Sequence, residues 1–259
     1  RARREFPLLS TTYIDMFYNS VNKSNIDAFK LHKADKITTI IDEKITDLRE
    51  GADRISGSIE DKIPYAKVLK YTKKYRVGNC AECSAAVISA LAANKIYDSQ
   101  MSNIGLSVEF INKKTGKSEF KAIKPIDHSM VVTALNKENP KPKDFIVIDS
   151  WLGFADGISG AKARYKKVYN DKYMEAEIKC QRSLFRLSQY EKTKKIINYD
   201  DYDTRTRIII YKAPDEYNRE NLKDLGIYCR QNFPNLTTNK RLSKNTIQDL
   251  ISCINLKIN

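Results

Sequence analysis

The spacing of apolar residues changes twice along this chain, and these changes limit the folds that it can adopt. Residues 11–75 carry apolar side chains three or four positions apart, which predicts helices. From about residue 100 the pattern alternates, and IGLSVEFINKKTGKSEFKAI predicts a β-hairpin around a Lys-Thr-Gly turn. The runs IDHSMVVTAL, DFIVIDSW and RTRIIIYKAP predict further strands. Helices segregated from a mainly antiparallel sheet define the α+β class.

Helical patterns surround these strands on both sides. We therefore expect a helical N-terminal region at residues 1–70, packed on the core, and a helical C-terminal extension at 216–259. The core itself is expected at 71–215, with a helical insertion at about 160–198. Because 41% of the 259 residues are hydrophobic, the chain can bury a sizeable core. It begins RARREFPLLS without Met, so we expect it to come from a longer protein.

The composition is strongly basic. Lys and Arg number 46 against 32 Asp and Glu, which gives a formal net charge of +14. The basic residues are scattered and no nucleic-acid-binding signature is present, so we do not expect nucleic acid as a partner. Peripheral contact with an anionic membrane or an acidic protein would suit this charge. No apolar run approaches the roughly 18 residues of a membrane helix, so we expect no transmembrane segment.

Two cysteines, Cys80 and Cys83, stand in the stretch VGNCAECSAAVISAL with C-x2-C spacing. Structural zinc would need two more ligands, but the other three cysteines are far apart and the two histidines are unpaired in spacing. A thiol-redox site would need a βαβ context that the lysine-rich residues upstream do not provide. The odd total of five cysteines favours reduced thiols in a cytosolic environment. We expect neither a metal nor a cofactor.

The two cysteines differ in position. Cys83 lies among Ala and Val residues and is interpreted as a small core residue. Cys80 follows Gly78-Asn79, which can form a turn and cap a helix, so Cys80 is expected in the first turn. There the positive end of the helix dipole favours a thiolate. Backbone N–H groups at the same place can bind an oxyanion, with Asn79 as a supporting residue.

A thiolate nucleophile needs a base and a group that orients the base. His32 lies among lysines in a polar helical stretch and is expected to be exposed. His128 opens a strand-like run, and Asp149 ends the apolar run FIVID. On its own, His128 would be interpreted as an ordinary core histidine. Antiparallel pairing of the two runs would bring it beside Asp149, so Cys80, His128 and Asp149 are the expected nucleophile, base and orienting residue.

The segments GNCAECSAAV, IDHSMVVTAL and VIDSWLG, in this order, resemble the papain-like superfamily over residues 78–153. In that superfamily a Cys begins a buried helix, and a His and a third residue follow on neighbouring strands. The resemblance implies a papain-like core whose Cys-bearing helix packs on the sheet. DSWLG is similar to the N-S-W-G segment of papain, with Asp149 in place of Asn, which implies that Trp151 shields the His–Asp pair.

Two departures narrow the resemblance. The third residue is Asp rather than Asn, and no Gln stands shortly before Cys80. Both departures are closer to transglutaminases and to Cys-His-Asp deamidase domains of bacterial toxins and effectors than to papain-type peptidases. The implied function is thiol-dependent acyl transfer on a protein, by glutamine deamidation or transglutamination, with proteolysis as the alternative. The alternative of another class is a catalytically inactive papain-like binding module.

Composition adds an expectation about the source. Lys, Asn and Ile are abundant, as is typical of proteins from AT-rich bacterial genomes. Helical regions around a small Cys-His-Asp core would suit a bacterial effector involved in virulence. Such an effector would be secreted into the host cell cytoplasm and would take a host protein as its substrate.

Overall fold

The computed structural model describes residues 39–40, 43–51, 64–75, 78–169, 171–213 and 218–237, and residues 43–51 are helical. Helices α1 (Pro64–Tyr75) and α2 (Cys80–Ala93) come first. Strands β1 (Gln100–Asn112), β2 (Ser118–Thr133), β3 (Ile146–Asp149) and β4 (Phe154–Gly157) follow. Helices α3 (Ile158–Val168) and α4 (Asp171–Thr193), strand β5 (Tyr202–Lys212) and helix α5 (Arg219–Asn232) complete the order. The strands form a sheet in the order β4-β3-β2-β1-β5, which confirms the α+β class.

The β1–β2 hairpin turns where the sequence predicts it. The backbone N–H of Asn112 donates to the carbonyl of Lys117 at 2.9 Å. Gly116 adopts a left-handed φ of +66°, which glycine reaches without the strain that a side chain would add. The predicted hairpin is therefore confirmed, and it forms because both its turn and its alternation are local signals.

The run IDHSMVVT was predicted as a separate strand, and this was wrong, because it forms the second half of the long strand β2. A proline inside the strand, Pro125, made the break plausible. Strand β3 has only four residues and pairs with Val131–Thr133. In the described part of the chain, no strand therefore lies beside β2 around Pro125 on the side of β3. Proline lacks a backbone N–H and is tolerated at such an unpaired position.

Other elements agree with the sequence only in outline. The run RTRIIIYK forms β5 as predicted, and the expected helical insertion consists of two helices, α3 and α4. Strand β4, with the sequence FADG, was not predicted because it has no apolar alternation. Of the helical C-terminal extension expected at 216–259, residues 219–232 form α5, and residues 238–259 lie outside the described residues. The helices predicted within residues 11–38 also lie outside them.

The chain forms two compact units, each made of separate stretches of sequence. The first contains the described residues before Ser102, Ser129–Gly157, and those after Ala213. The second contains Ser102–His128 and Ile158–Ala213. The domain boundaries expected at residues 70 and 215 stay predictions.

Small residues hold the first unit together. Helix α2 buries 10 of its 14 residues, and most of them are Ala or Ser. Gly226 of α5 approaches α2 so closely that an added Cβ would lie 2.5 Å from the carbonyl oxygen of Ala92. Only a residue without a side chain fits there. Strand residues Val131, Ile146 and Ile148 complete this core.

Aromatic rings hold the second unit together. The ring of Phe185 in α4 stacks on that of Phe110 in β1, with centroids 4.6 Å apart. The rings of Phe120 and Tyr202 contact Phe185 at centroid distances of 5.3 and 4.9 Å. Such offset and edge-on contacts add to the stabilisation that burial alone provides. Strands β1 and β5 pair antiparallel beside this cluster, along all 11 residues of β5.

Candidate active site

Cys80 is the first residue of α2, and the capping of that helix fixes its backbone. Asn79 is the N-cap, in an extended conformation. The carboxylate of Glu82 accepts a hydrogen bond from the backbone N–H of Asn79 at 2.8 Å. Its other oxygen accepts from Nε of Arg49 at 2.9 Å. Cys80 therefore lies in the first turn of the helix, as predicted, with Asn79 as the N-cap.

The Arg49–Glu82 ion pair is a part of this site that the sequence did not reveal. Glu82 is 4% exposed, so its charge would be unfavourable without hydrogen-bonded partners. Arg49, whose side chain is 54% exposed, supplies the opposite charge. Arg49 and Glu82 lie far apart along the chain, and no local motif marks such a pair. Sequence reasoning could assign Glu82 only a favourable place near the helix N-terminus.

The thiols differ in burial. Cys80 and Cys83 are half-buried, Cys180 is exposed and Cys229 is buried, and none of these four forms a disulfide. Cys83, interpreted from the sequence as a small core residue, is thus partly rather than fully buried. Burial raises the pKa of the Cys229 thiol to about 12. Cys253 lies outside the described residues.

His128 and Asp149 are both buried in strands. His128 in β2 is 3% exposed, and its ring meets the ring of Tyr165 in α3 edge-on, with centroids 5.7 Å apart. Asp149, the last residue of β3, is 1% exposed. One of its carboxylate oxygens accepts a hydrogen bond from the backbone N–H of Leu152 at 2.8 Å. His32 lies outside the described residues.

The predicted antiparallel pairing of β2 with β3 is confirmed. Val131 lies opposite Ile148, and one further step of this register places Met130 beside Asp149. Residues directly opposite each other in such a pair point to the same face, as do residues two apart on one strand. The side chains of His128, Met130 and Asp149 therefore leave their strands toward one face.

Helix α2 packs on the other face. Val131 and Ile148 belong to the core that contains α2. Because side chains alternate along a strand, Asp149 points to the face that α2 does not cover. The next residue, Ser150, meets the first turn of α2 instead, and its hydroxyl donates to the carbonyl of Cys83 at 3.3 Å. Sequence reasoning missed this contact of Ser150, and the DSW stretch alone gives no signal for it.

Trp151 is 5% exposed and lies between β3 and β4. Its predicted role, shielding a His–Asp pair, stays a prediction. Within the part of the chain that the structure describes, no three His, Cys, Asp or Glu side chains are grouped so that they could hold a metal ion. None of the described helices combines the length and the apolar character needed to cross a bilayer.

Comparison of this chain with known proteins found no relative. The chain matches no protein-family model, and searches of curated proteins and of solved structures find no match. The resemblance to the papain-like superfamily therefore depends on the three sequence motifs.

Proposed function

We propose that this chain is a thiol-dependent acyl-transfer enzyme with a papain-like core, acting on a protein substrate. Cys80 is the nucleophile, His128 the base and Asp149 the residue that orients the base. The observation that carries the proposal is the position of Cys80, a half-buried thiol in the first turn of a capped, buried helix. Helix N-termini are places where thiolates and oxyanions are stabilised.

The reaction follows from these roles. His128 takes the proton of the Cys80 thiol, and the sulfur attacks the carboxamide carbon of a substrate Gln. His128 returns the proton to the departing ammonia, which leaves a thioester on Cys80. Water then releases a Glu side chain, whereas a Lys amine forms an isopeptide bond. Attack on a main-chain carbonyl would give proteolysis by the same steps.

The two halves of this triad have unequal support. The register of β2 and β3 favours the pairing of His128 with Asp149, since both side chains are buried and leave their strands toward one face. A buried carboxylate needs such a hydrogen-bonded partner, and an imidazole N–H suits it. The participation of Cys80 depends on its motif and its position in α2.

A second candidate function is a papain-like binding module without a catalytic thiol. The alternation along β2 and β3 favours it, because His128 and Asp149 both point away from the face that α2 covers. In such a module the His–Asp pair would be a structural element of the buried strands. The two candidates differ in the chemistry of Cys80, which can be measured without knowing the substrate.

The test is the rate of iodoacetamide alkylation at each cysteine at neutral pH, read by peptide mass spectrometry. The enzyme hypothesis predicts that Cys80 reacts at least about tenfold faster than the exposed Cys180, because the thiolate is the reacting form. His128→Gln and Asp149→Asn should each slow Cys80 and leave Cys180 unchanged. Equal rates at Cys80 and Cys180, unaffected by either substitution in folded protein, would overturn the acyl-transfer proposal and favour the binding module.

A second measurement separates the acyl-transfer outcomes. Cell lysate is incubated with the wild-type chain or with Cys80→Ala, and peptides are compared by mass spectrometry. Gln converted to Glu indicates deamidation, an added biotinylated amine indicates transglutamination, and new N-termini indicate proteolysis. Any of the three must disappear with Cys80→Ala.

A further inference from the structure

Strand β5 lies at one end of the sheet, and among the described residues it pairs only with β1. It is 11 residues long, whereas β4 at the opposite end has four. The outer edge of such a strand presents N–H and C=O groups that another extended chain can pair with. The edge of β5 is therefore long enough to accept a further strand.

One face of the sheet near this edge carries excess positive charge. Glu109 of β1 is approached by three cations, Lys121 at 3.5 Å, Arg205 at 3.9 Å and Arg207 at 3.3 Å. The three cationic side chains are 57–58% exposed, whereas that of Glu109 is 15% exposed. Asp203, two residues before Arg205 on the same face, adds a second carboxylate and lies 3.9 Å from Lys113. Four cations therefore face two carboxylates, so this part of the face can attract further anionic groups.

The same face becomes apolar farther along β5. In the register with β1, Ile209 lies opposite Gly105. An added Cβ at Gly105 would lie 3.1 Å from Tyr211, 3.2 Å from Ile123 and 3.3 Å from Ile209, so these side chains close over the glycine. Ile123 remains 53% exposed. The face thus changes from basic to apolar along the direction of the strand.

We propose that the outer edge of β5 binds an extended acidic segment of another protein as an added antiparallel strand. Two carboxylates of the segment lie opposite Arg205 and Arg207, and two apolar side chains lie opposite Ile209 and Tyr211. Since opposed residues of antiparallel strands share a face, the segment has the order apolar-x-apolar-x-acidic-x-acidic from its N-terminus. Main-chain hydrogen bonds provide affinity and the alternating side chains provide selectivity.

A polypeptide suits this edge better than a nucleic acid. Phosphates would satisfy the charge of Arg205 and Arg207, but a nucleic acid has no peptide groups to continue the ladder of β5. The proposal is independent of the acyl-transfer function, because every residue it uses belongs to the second unit and none is a candidate catalytic residue.

The probe is a fluorescein-labelled peptide, Val-Thr-Val-Thr-Glu-Thr-Glu, and its binding to the whole chain is followed by fluorescence anisotropy. We expect saturable binding that Arg205→Gln with Arg207→Gln weakens by about tenfold, as for the loss of two exposed charge pairs. The matched control, Lys192→Gln with Lys195→Gln, removes the same charge from exposed positions of the same unit and should change affinity less than twofold. A peptide with Lys in place of Glu should not bind.

Two further peptides test the main-chain pairing. Each is N-methylated at alternate residues, so one set loses the N–H groups that point toward β5 and the other set loses those that point away. Strand addition predicts that only one of the two peptides binds. Binding of both would overturn the proposal, as would a lack of saturable binding at millimolar peptide. A single-stranded oligonucleotide that binds as tightly would also overturn it and would indicate a general polyanion surface.

Discussion

Helices α2 and α4 are the principal helices of their units, yet they are buried in opposite ways. The 14-residue α2 buries 10 residues, most of them small. The 23-residue α4 buries only Gln181, Phe185 and Gln189 among its described side chains. On α4, Leu184 and Leu187 remain 49% and 56% exposed. Small residues allow a helix to be surrounded by close neighbours, whereas one large ring can hold a helix from a single side.

The comparison predicts the largest loss of stability where α4 depends on one ring. Phe185→Ala should lower the free energy of unfolding by about 3–5 kcal/mol, because it empties the centre of the aromatic cluster. Leu187→Ala, on the same helix but 56% exposed, should change it by less than about 0.5 kcal/mol. Urea denaturation measures both, and similar losses would show that α4 is held by more than Phe185.

A smaller loss of stability is expected from a substitution where α2 packs against α5. Gly226→Ala should lower the free energy of unfolding by about 1–3 kcal/mol, because its Cβ meets the backbone of Ala92 and the helices must separate. Gly157→Ala is the matched control, since nothing lies within 4 Å of its added Cβ. A Gly226→Ala variant as stable as wild type would mean that the two helices can shift apart freely.

The smallest expected effect is on the free energy of unfolding at alkaline pH. Burial raises the pKa of Cys229 to about 12 from the ordinary 9.0, so the folded state retains a proton that the unfolded state loses. The resulting stability is present below about pH 9 and is lost as the pH rises toward 12. Cys229→Ala should therefore flatten the alkaline fall in unfolding free energy, measured with reductant, although the variant starts lower at neutral pH. Cys180→Ala, which removes an exposed thiol, should leave the slope unchanged.

Local signals in the sequence predicted the helices and strands, whereas non-local contacts determine which of them pack beside each other. The β1–β2 hairpin could be predicted because turn and alternation occupy one short stretch. The pairing of β5 with β1 could not, since it joins Ser102 to Lys212 across the whole of α3 and α4. The same holds for Arg49, whose contact with Glu82 depends on the packing of a separate helix.

The candidate site shows this limit most clearly. Sequence order and strand adjacency were enough to predict that the runs containing His128 and Asp149 pair with each other. The face toward which Asp149 points required the register, because a shift of one residue exchanges the two faces of a strand. Ser150 rather than Asp149 meets the first turn of α2 for this reason.

The long separation between β1 and β5 also matters while the protein is being made. Strand β1 is complete at Asn112, but its partner begins only at Tyr202. At a translation rate of about 5–20 residues per second, this interval lasts roughly 5 to 20 s. During it the edge of β1 that pairs with β5 is unpaired, on a strand whose side chains Ile104, Leu106 and Val108 are fully buried in the finished protein. An apolar strand with an unpaired edge is open to incorrect pairing during this interval.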